Sequence, residues 1–354
     1  MSNYHEEQNR QNIQRLREHL KVLPPFLGEF FRNRADYTST RTRLGYAYDL
    51  KLFFNFLVTE TRDFAASTMD NFTLDDLSRI GVDHIEEFME YLSYYTTSKD
   101  REGAEYHVQN ELEGKSRKLS AIRSMFTYFY KKGKITANPA ELVATPPVKE
   151  KAKVYLDAHE IANLLDEADS GMSLTKKQKD YHAHTRSRDV AILSLFAGTG
   201  IRISEAVGLN IEDVDVSAAS FRVIRKGGDE AILYFGDEVA EALGEYLEKR
   251  QNMVPMPGHE RAFFLSMQNK RLTTRAVQNL VKKYSHLANS LKKITPHKLR
   301  TSFGTNMYRQ TGDIYLVADL LGHKDVNTTR KSYADTKAEA GRRAVRDLRL
   351  RKDE

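Results

Sequence analysis

A mainly α-helical chain of two domains, with one small β-sheet in the second, is predicted by three features of the sequence. Apolar residues recur at intervals of three and four over several long segments, the spacing of a helix face. A stretch rich in proline and lysine, and poor in apolar periodicity, divides the chain near residues 140–154. Only one pair of β-prone runs, split by glycines, interrupts the helical pattern. The length of 354 residues fits two domains at about 100–200 residues each.

Residues 1–36 read as an N-terminal arm. Its amphipathic stretch, Ile13 to Leu23, stops at Pro24-Pro25, because proline cannot continue a helix and restricts the residue before it. A helical bundle is expected over residues 37–140. Ala47, Leu50, Phe54 and Leu57 form one helical stripe, Ile85, Phe88, Met89 and Leu92 a second, and Leu119, Ile122, Phe126 and Phe129 a third. Asn71 to Gly81 and Thr96 to Gly114 read as connections. Residues 141–154 are the linker.

The second domain is expected over residues 155–345, with a tail at 346–354. Ala158 to Ala168 and Arg188 to Ala197 read as helices, and Gly198-Thr199-Gly200 as a helix stop with a restart at Arg202. Phe221 to Ile224 and Ile232 to Phe235, separated by Gly227-Gly228, predict a hairpin. Val277, Leu280, Val281, Tyr284, Leu287 and Leu291 mark a later helix. Asp213 and Asp215 lie in an alternating Ile-Glu-Asp-Val-Asp-Val run that reads as a strand entry with solvated acids, and no His/Asp/Glu cluster has convincing metal-ligand spacing.

There is no cysteine, which excludes disulfides, thiolate metal sites and cysteine nucleophiles, and fits a reducing compartment. No apolar run reaches the roughly 18 residues of a membrane span, and the polar start lacks a signal peptide's apolar region. A cytoplasmic protein without membrane insertion is expected. The net charge of +6 is unevenly placed: residues 1–150 hold 21 Lys and Arg against 22 Asp and Glu, and residues 151–354 hold 34 against 27. Lys115 to Lys134 adds seven basic residues and no acidic one. Such clustering suits a polyanion such as DNA, and equally a solvated basic helix face.

Thr295-Pro296-His297-Lys298-Leu299-Arg300 has the signature of a helix start, with threonine as cap and proline at the first helical position. His297 and Arg300 then share one face of the first turn, where unpaired N–H groups favour an anion. Gly198-Thr199-Gly200-Ile201-Arg202 sets a second arginine directly after a glycine-rich break, and Leu321-Gly322-His323 precedes Tyr333 by ten residues. Each has an ordinary reading alone: Arg300 in a structural ion pair, Arg202 paired with Glu205, His323 capping a helix, Tyr333 on an amphipathic surface.

In their order and spacing these motifs resemble the tyrosine recombinase, or phage integrase, family. Gly-Ile-Arg202-Ile-Ser-Glu is similar to its first arginine box, His297-Lys-Leu-Arg300 to its second, Leu-Gly-His323 with Tyr333 to its C-terminal end, and Lys226 to the lysine of its β-hairpin turn. The resemblance runs from about Tyr37 to Val345. Two positions depart from it: Thr301 stands where many relatives carry histidine, and the interval from His323 to Tyr333 is ten where nine is commoner.

The resemblance implies a SAM-like core-binding domain and a mostly helical catalytic domain closing on DNA as a C-shaped clamp. It implies catalysis by Arg202, Lys226, His297, Arg300, His323 and the nucleophile Tyr333, through a 3′-phosphotyrosine intermediate, without ATP or divalent metal. The basic third helix, with Lys115, Arg117, Lys118 and Arg123, is the expected DNA-facing helix. The tail's alternation of arginines with Ala344, Val345, Leu348 and Leu350 suits a packing helix, and the family precedent implies a homotetramer on two DNA sites. The N-terminal segment and the additional residues near Ser170 to Ser187 resemble the single-recombinase Xer type of streptococci and relatives. That implies chromosome dimer resolution and a septal DNA translocase as partner. The competing expectations are an integrase or excisionase of a mobile element, a type IB topoisomerase, and a DNA-binding relic without activity.

Overall fold

The computed structural model describes residues 4–97, 106–147, 154–225, 228–288 and 291–322. The chain divides into two compact units, Met1–Lys151 and Ala152–Glu354.

The first unit contains α1 (Tyr4–Leu20), α2 (Leu27–Asn33), α3 (Thr40–Glu60), α4 (Leu74–Arg79), α5 (Val82–Tyr91), β1 (Tyr95–Thr97), β2 (Tyr106–Val108), α6 (Leu112–Lys131) and α7 (Pro139–Leu142). The three stripes read from the sequence face one core: Ala47, Leu50, Phe54 and Leu57 of α3, Ile85 and Phe88 of α5 with Leu92 just beyond it, and Leu119, Ile122, Phe126 and Phe129 of α6 are fully buried. Phenylalanines fill the centre edge to face, with Phe53 and Phe88 at 5.1 Å and Phe54 and Phe72 at 5.1 Å between ring centroids.

Three local expectations are corrected. The segment expected as an arm is part of this core, for Leu16, Leu23, Leu27, Phe30 and Phe31 are buried in it and α1 packs along α3. Pro24 and Pro25 launch α2 as much as they end α1: their carbonyls accept from the N–H groups of Leu27 and Gly28. Within Asn71 to Gly81, Thr73 and Asp76 exchange side-chain and backbone hydrogen bonds as a capping box, and this box starts α4. Within the expected connection from Thr96, β1 and β2 pair antiparallel with Thr96 opposite His107.

The second unit contains α8 (Ala158–Ser170), α9 (Lys176–Thr199), α10 (Ile203–Gly208), a 3₁₀ turn (Ile211–Asp213), β3 (Val214–Asp215), β4 (Ser220–Ile224), β5 (Glu230–Tyr234), α11 (Asp237–Gln251), α12 (Thr274–Leu287), α13 (Pro296–Thr311) and α14 (Ile314–Leu321). Here α9 is the central helix. It packs against α8, α11 and α13, and Ala191 to Phe196 are all buried, so this half of the helix is enclosed on every side. The additional residues near Ser170 to Ser187 form the α8–α9 turn and extend α9 toward its start, where Thr175 and Gln178 make a capping box. The sheet runs β3-β4-β5, antiparallel throughout, and the expected hairpin is β4–β5 with Val223 opposite Ala231.

Asp213 and Asp215 hold loops. Asp213 accepts from Arg222 at 3.1 Å and from the Asn210 N–H at 3.0 Å. Asp215 accepts from the Ser217 hydroxyl at 2.6 Å, which with the Ala218 N–H lowers its pKa. Among the described residues there is no group of three metal-binding side chains, and no helix is long and apolar enough to cross a membrane.

Candidate functional site

The expected arginines meet where α9 ends, α10 and α13 begin and α14 ends. At the close of α9, Gly200 takes the left-handed conformation with φ +60°, and its N–H donates to the Phe196 carbonyl. A β-carbon at this position would lie 2.6 Å from Phe303 Cδ1 and 3.0 Å from Leu321 Cδ2, so backbone conformation and packing both require glycine. The chain then reverses into α10 with Arg202 at its cap position.

Arg202 is oriented by a buried carboxylate. Its Nη1 donates to Glu205 Oε1 at 2.9 Å and its backbone N–H to Glu205 Oε2 at 3.0 Å, while Nη2 donates to the Gly322 carbonyl at 3.1 Å. The side chain of Glu205 is 4% exposed and that of Arg202 31%, so the anion is sealed in the protein and the guanidinium reaches solvent. The ordinary pairing of Arg202 with Glu205 is therefore present, and it serves to aim the cation.

Thr295 caps α13 by accepting from the Lys298 N–H, with Pro296 at the first helical position, as the sequence predicts. Arg300, one turn in, is buried. Its Nη1 donates to the Gly200 carbonyl at 2.5 Å and its Nη2 to the Leu321 carbonyl. His297 lies three residues before it on the same helix and is exposed. Partial desolvation of its ring, followed by the positive charge of Arg300, holds its pKa below the ordinary 6.5.

Arg225, at the end of β4, reaches the same place, and sequence reasoning passed it over for its neighbour. Its Nη2 lies 3.4 Å from the Asp319 carbonyl, and its guanidinium lies across Gly322. Lys226, His323 and Tyr333 lie outside the described residues, as does the tail from Arg342 onward.

The four cations expected to face DNA from α6 are all engaged within the first unit. Lys118 is buried, donates to Asn110 Oδ1 at 2.7 Å and has its pKa lowered by desolvation. Arg123 ties α6 to the segment around α7, donating to the Ala140 carbonyl at 3.0 Å, the Thr145 hydroxyl at 2.6 Å and the Val143 carbonyl. Lys115 donates to Ser93 Oγ at 2.6 Å. Arg117 pairs with the buried Asp49 and still exposes 56% of its side chain. Of the four, Arg117 is exposed, Lys115 and Arg123 are half-buried and Lys118 is buried, with Arg123 spending its donors on the segment around α7.

A second basic surface went unread in the sequence. A cleft of 540 Å³ opens between α12 and the start of α13, lined by Arg275, Gln278, Asn279, Lys282, His286 and Lys293 among others. Its signal was available: on α12 the apolar stripe Val277, Leu280, Val281 and Tyr284 leaves Arg275, Gln278, Asn279 and Lys282 on the opposite face.

A model of the phage integrase family matches residues 155–340. The tyrosine recombinase XerC of Caldanaerobacter subterraneus subsp. tengcongensis is 32% identical over 321 residues, 87% of this chain and 82% of that protein. The tyrosine recombinase XerD of Staphylococcus epidermidis is 33% identical over 215 residues, 61% of this chain and 69% of that protein. In fold, the chain is similar to the XerH site-specific recombinase bound to palindromic difH substrate, with a TM-score of 0.61, 19% identity and coverage of 88% of this chain and 81% of that one. It is also similar to the Tn1549 transposon integrase in complex with transposon right end DNA, with a TM-score of 0.61, 16% identity and coverage of 90% and 98%.

Proposed function

The chain belongs to the phage integrase family as a site-specific tyrosine recombinase of the Xer type, and we propose that it resolves chromosome dimers by cutting and rejoining DNA at a chromosomal site. The observation that carries this reading is the ordered set Arg202, Lys226, His297, Arg300, His323 and Tyr333, of which Arg202 and Arg300 both bond to the end of α14.

The chemistry follows from the residue types. A phosphodiester repels an incoming nucleophile with its anionic oxygens, so cleavage needs cations fixed at those oxygens. Arg202 and Arg300 supply them, since a guanidinium stays charged and can bind two oxygens in one plane. Tyr333 Oη attacks phosphorus, and its proton passes to His297. The 5′-oxygen leaves with a proton from Lys226, and His323 donates a hydrogen bond to the pentavalent transition state. The product is a 3′-phosphotyrosine bond and a free 5′-hydroxyl. A 5′-hydroxyl from a partner strand reverses the attack, so the bond energy is conserved and the balance calls for no ATP.

For His297 to accept a proton it must be neutral, and partial desolvation with Arg300 beside it favours that form at neutral pH. Cleavage is therefore expected to lose rate toward acid by about tenfold per pH unit, with the midpoint of that decline below the ordinary histidine value of 6.5. His297→Gln should lower the plateau and remove that acid limb. Single-turnover cleavage rates across the pH range check both points.

Double-stranded DNA in the cytoplasm, a homotetramer spanning two sites, and a septal DNA translocase complete the proposal. Arg117 and Lys115 of α6 and the cleft beside α12 are the surfaces proposed to meet phosphates. The test begins by recovering the chromosomal fragments that the protein binds and nicking the recovered site as a suicide substrate. A covalent adduct whose tryptic peptide carries DNA on Tyr333, at a site near the replication terminus, is expected. A site confined to the ends of a mobile element overturns the chromosomal role. Relaxation of any supercoiled DNA by monomers, or no adduct at the recovered site, overturns the recombinase mechanism for this chain.

A further inference from the structure

The last carbonyls of a helix have no partners within the helix, and the aligned peptide dipoles make that end negative. At the end of α14 three guanidinium groups meet these carbonyls, each from a different element. Arg225 from β4 lies at the Asp319 carbonyl, Arg300 from α13 donates to the Leu321 carbonyl, and Arg202 from the start of α10 donates to the Gly322 carbonyl at 3.1 Å. Arg225 differs from the other two in what it spans, for it alone of the three joins this helix end to the sheet.

Its fit is close. Gly322 has φ +62°, and a β-carbon there would run into the Arg225 guanidinium, so glycine serves both the left-handed turn and the approach of the arginine. At the other end Arg225, the residue after β4, is held in the β4–β5 turn: its N–H donates to the Asp229 carbonyl at 2.8 Å, and its carbonyl accepts from the Gly228 N–H at 3.0 Å. The side chain is half-buried and bridges two fixed backbones.

We infer that Arg225 is a positioning residue, which pins the end of α14 to β4 and thereby fixes the carbonyls that set the directions of Arg202 and Arg300. The inference rests on the reading of those two arginines as phosphate clamps. Without Arg225 the end of α14 loses its tie at the Asp319 carbonyl, and the partly exposed Arg202 guanidinium loses the fixed position of the Gly322 carbonyl that aims Nη2. A displacement of about 1 Å at such a group lowers a rate by up to about 100-fold.

The experiment uses two versions of the nicked recombination site, one with the ordinary scissile phosphate and one with a methylphosphonate in its place. The methyl group removes the negative charge that the arginines neutralise. Arg225→Ala is expected to cleave the ordinary site about 10- to 100-fold more slowly than the parent chain, with DNA affinity within about threefold, and to regain most of that deficit on the methylphosphonate. Arg202→Ala, run beside it, should show the same pattern. A deficit of equal size on both substrates, or no deficit, for Arg225→Ala alone overturns the inference and leaves the clamp reading standing. Equal deficits for Arg202→Ala overturn the clamp reading and the inference with it. Thermal unfolding monitors the fold; if Arg225→Ala does not fold, Arg225→Lys carries the test, because it keeps the charge and loses the planar fork. Its deficit should be smaller than 10-fold and should again shrink on the methylphosphonate, and equal deficits on the two substrates overturn the inference.

Discussion

Arg300→Ala is expected to slow cleavage of the nicked site by about 1,000-fold or more while leaving most of the DNA affinity in place. One preorganised donor to a developing negative charge is worth about 100- to 1,000-fold in rate, and Arg300 also holds together the two segments that shape the site. It bonds to the Gly200 carbonyl from the end of α9 and to the Leu321 carbonyl from the end of α14. Removing it leaves both acceptors without this donor in a closed environment, at about 1–3 kcal/mol for each one left unsatisfied. The rate loss should therefore accompany a fall in the unfolding midpoint. Arg300→Lys separates the two effects: it restores charge, but a single ammonium cannot reproduce a planar fork anchored at two carbonyls. Its stability should approach that of the parent chain while its rate stays at least about 100-fold low. A lysine variant that cleaves within tenfold of the parent would show that Arg300 acts by charge alone.

Where function was legible, it was written in short-range terms. Gly200 marks a helix stop because only a left-handed residue fits there, and Thr295-Pro296 marks a helix start because cap and missing N–H fit the first turn. Residues beside such punctuation, Arg202 and Arg300, could be located at once. The buried stripes of α3, α5 and α6 were legible for the same reason, since their spacing is local. What was illegible depends on contacts between distant segments. Arg225 matters through Gly322, and nothing near residue 225 in sequence announces that approach. The α1–α2 segment was misread because two prolines suggested an ending, when the chain turns on them and buries Phe30 and Phe31. Charge was the weakest guide. Lys118 precedes Ile122 by four and Met125 by seven, which places it on the buried face of α6, where it bonds to Asn110.

The largest expected change in stability comes from Asp189→Ala in α9, at about 3–5 kcal/mol. Asp189 is 3% exposed and accepts four hydrogen bonds: from Arg188 at 3.0 and 2.7 Å, from the Thr185 hydroxyl at 3.2 Å and from the Tyr284 hydroxyl at 3.0 Å. Burial, and then the adjacent carboxylate, push the Tyr284 phenol's pKa upward, so it stays a donor over the whole working range of pH. Truncating Asp189 leaves a largely enclosed guanidinium without its anion and a buried phenol without its acceptor. Asp189→Asn keeps one oxygen acceptor and should cost less. Urea unfolding of both variants measures the difference, and a cost below 1 kcal/mol for Asp189→Ala would show that the network contributes little. The position of this network ties stability to chemistry. It fastens α12 to α9 eleven residues before Gly200, and the carbonyl of Gly200 is one of the two that hold Arg300. At a temperature where Asp189→Ala remains folded, cleavage should still be slower, and the deficit should not add to that of Arg300→Ala, because both act on the same guanidinium.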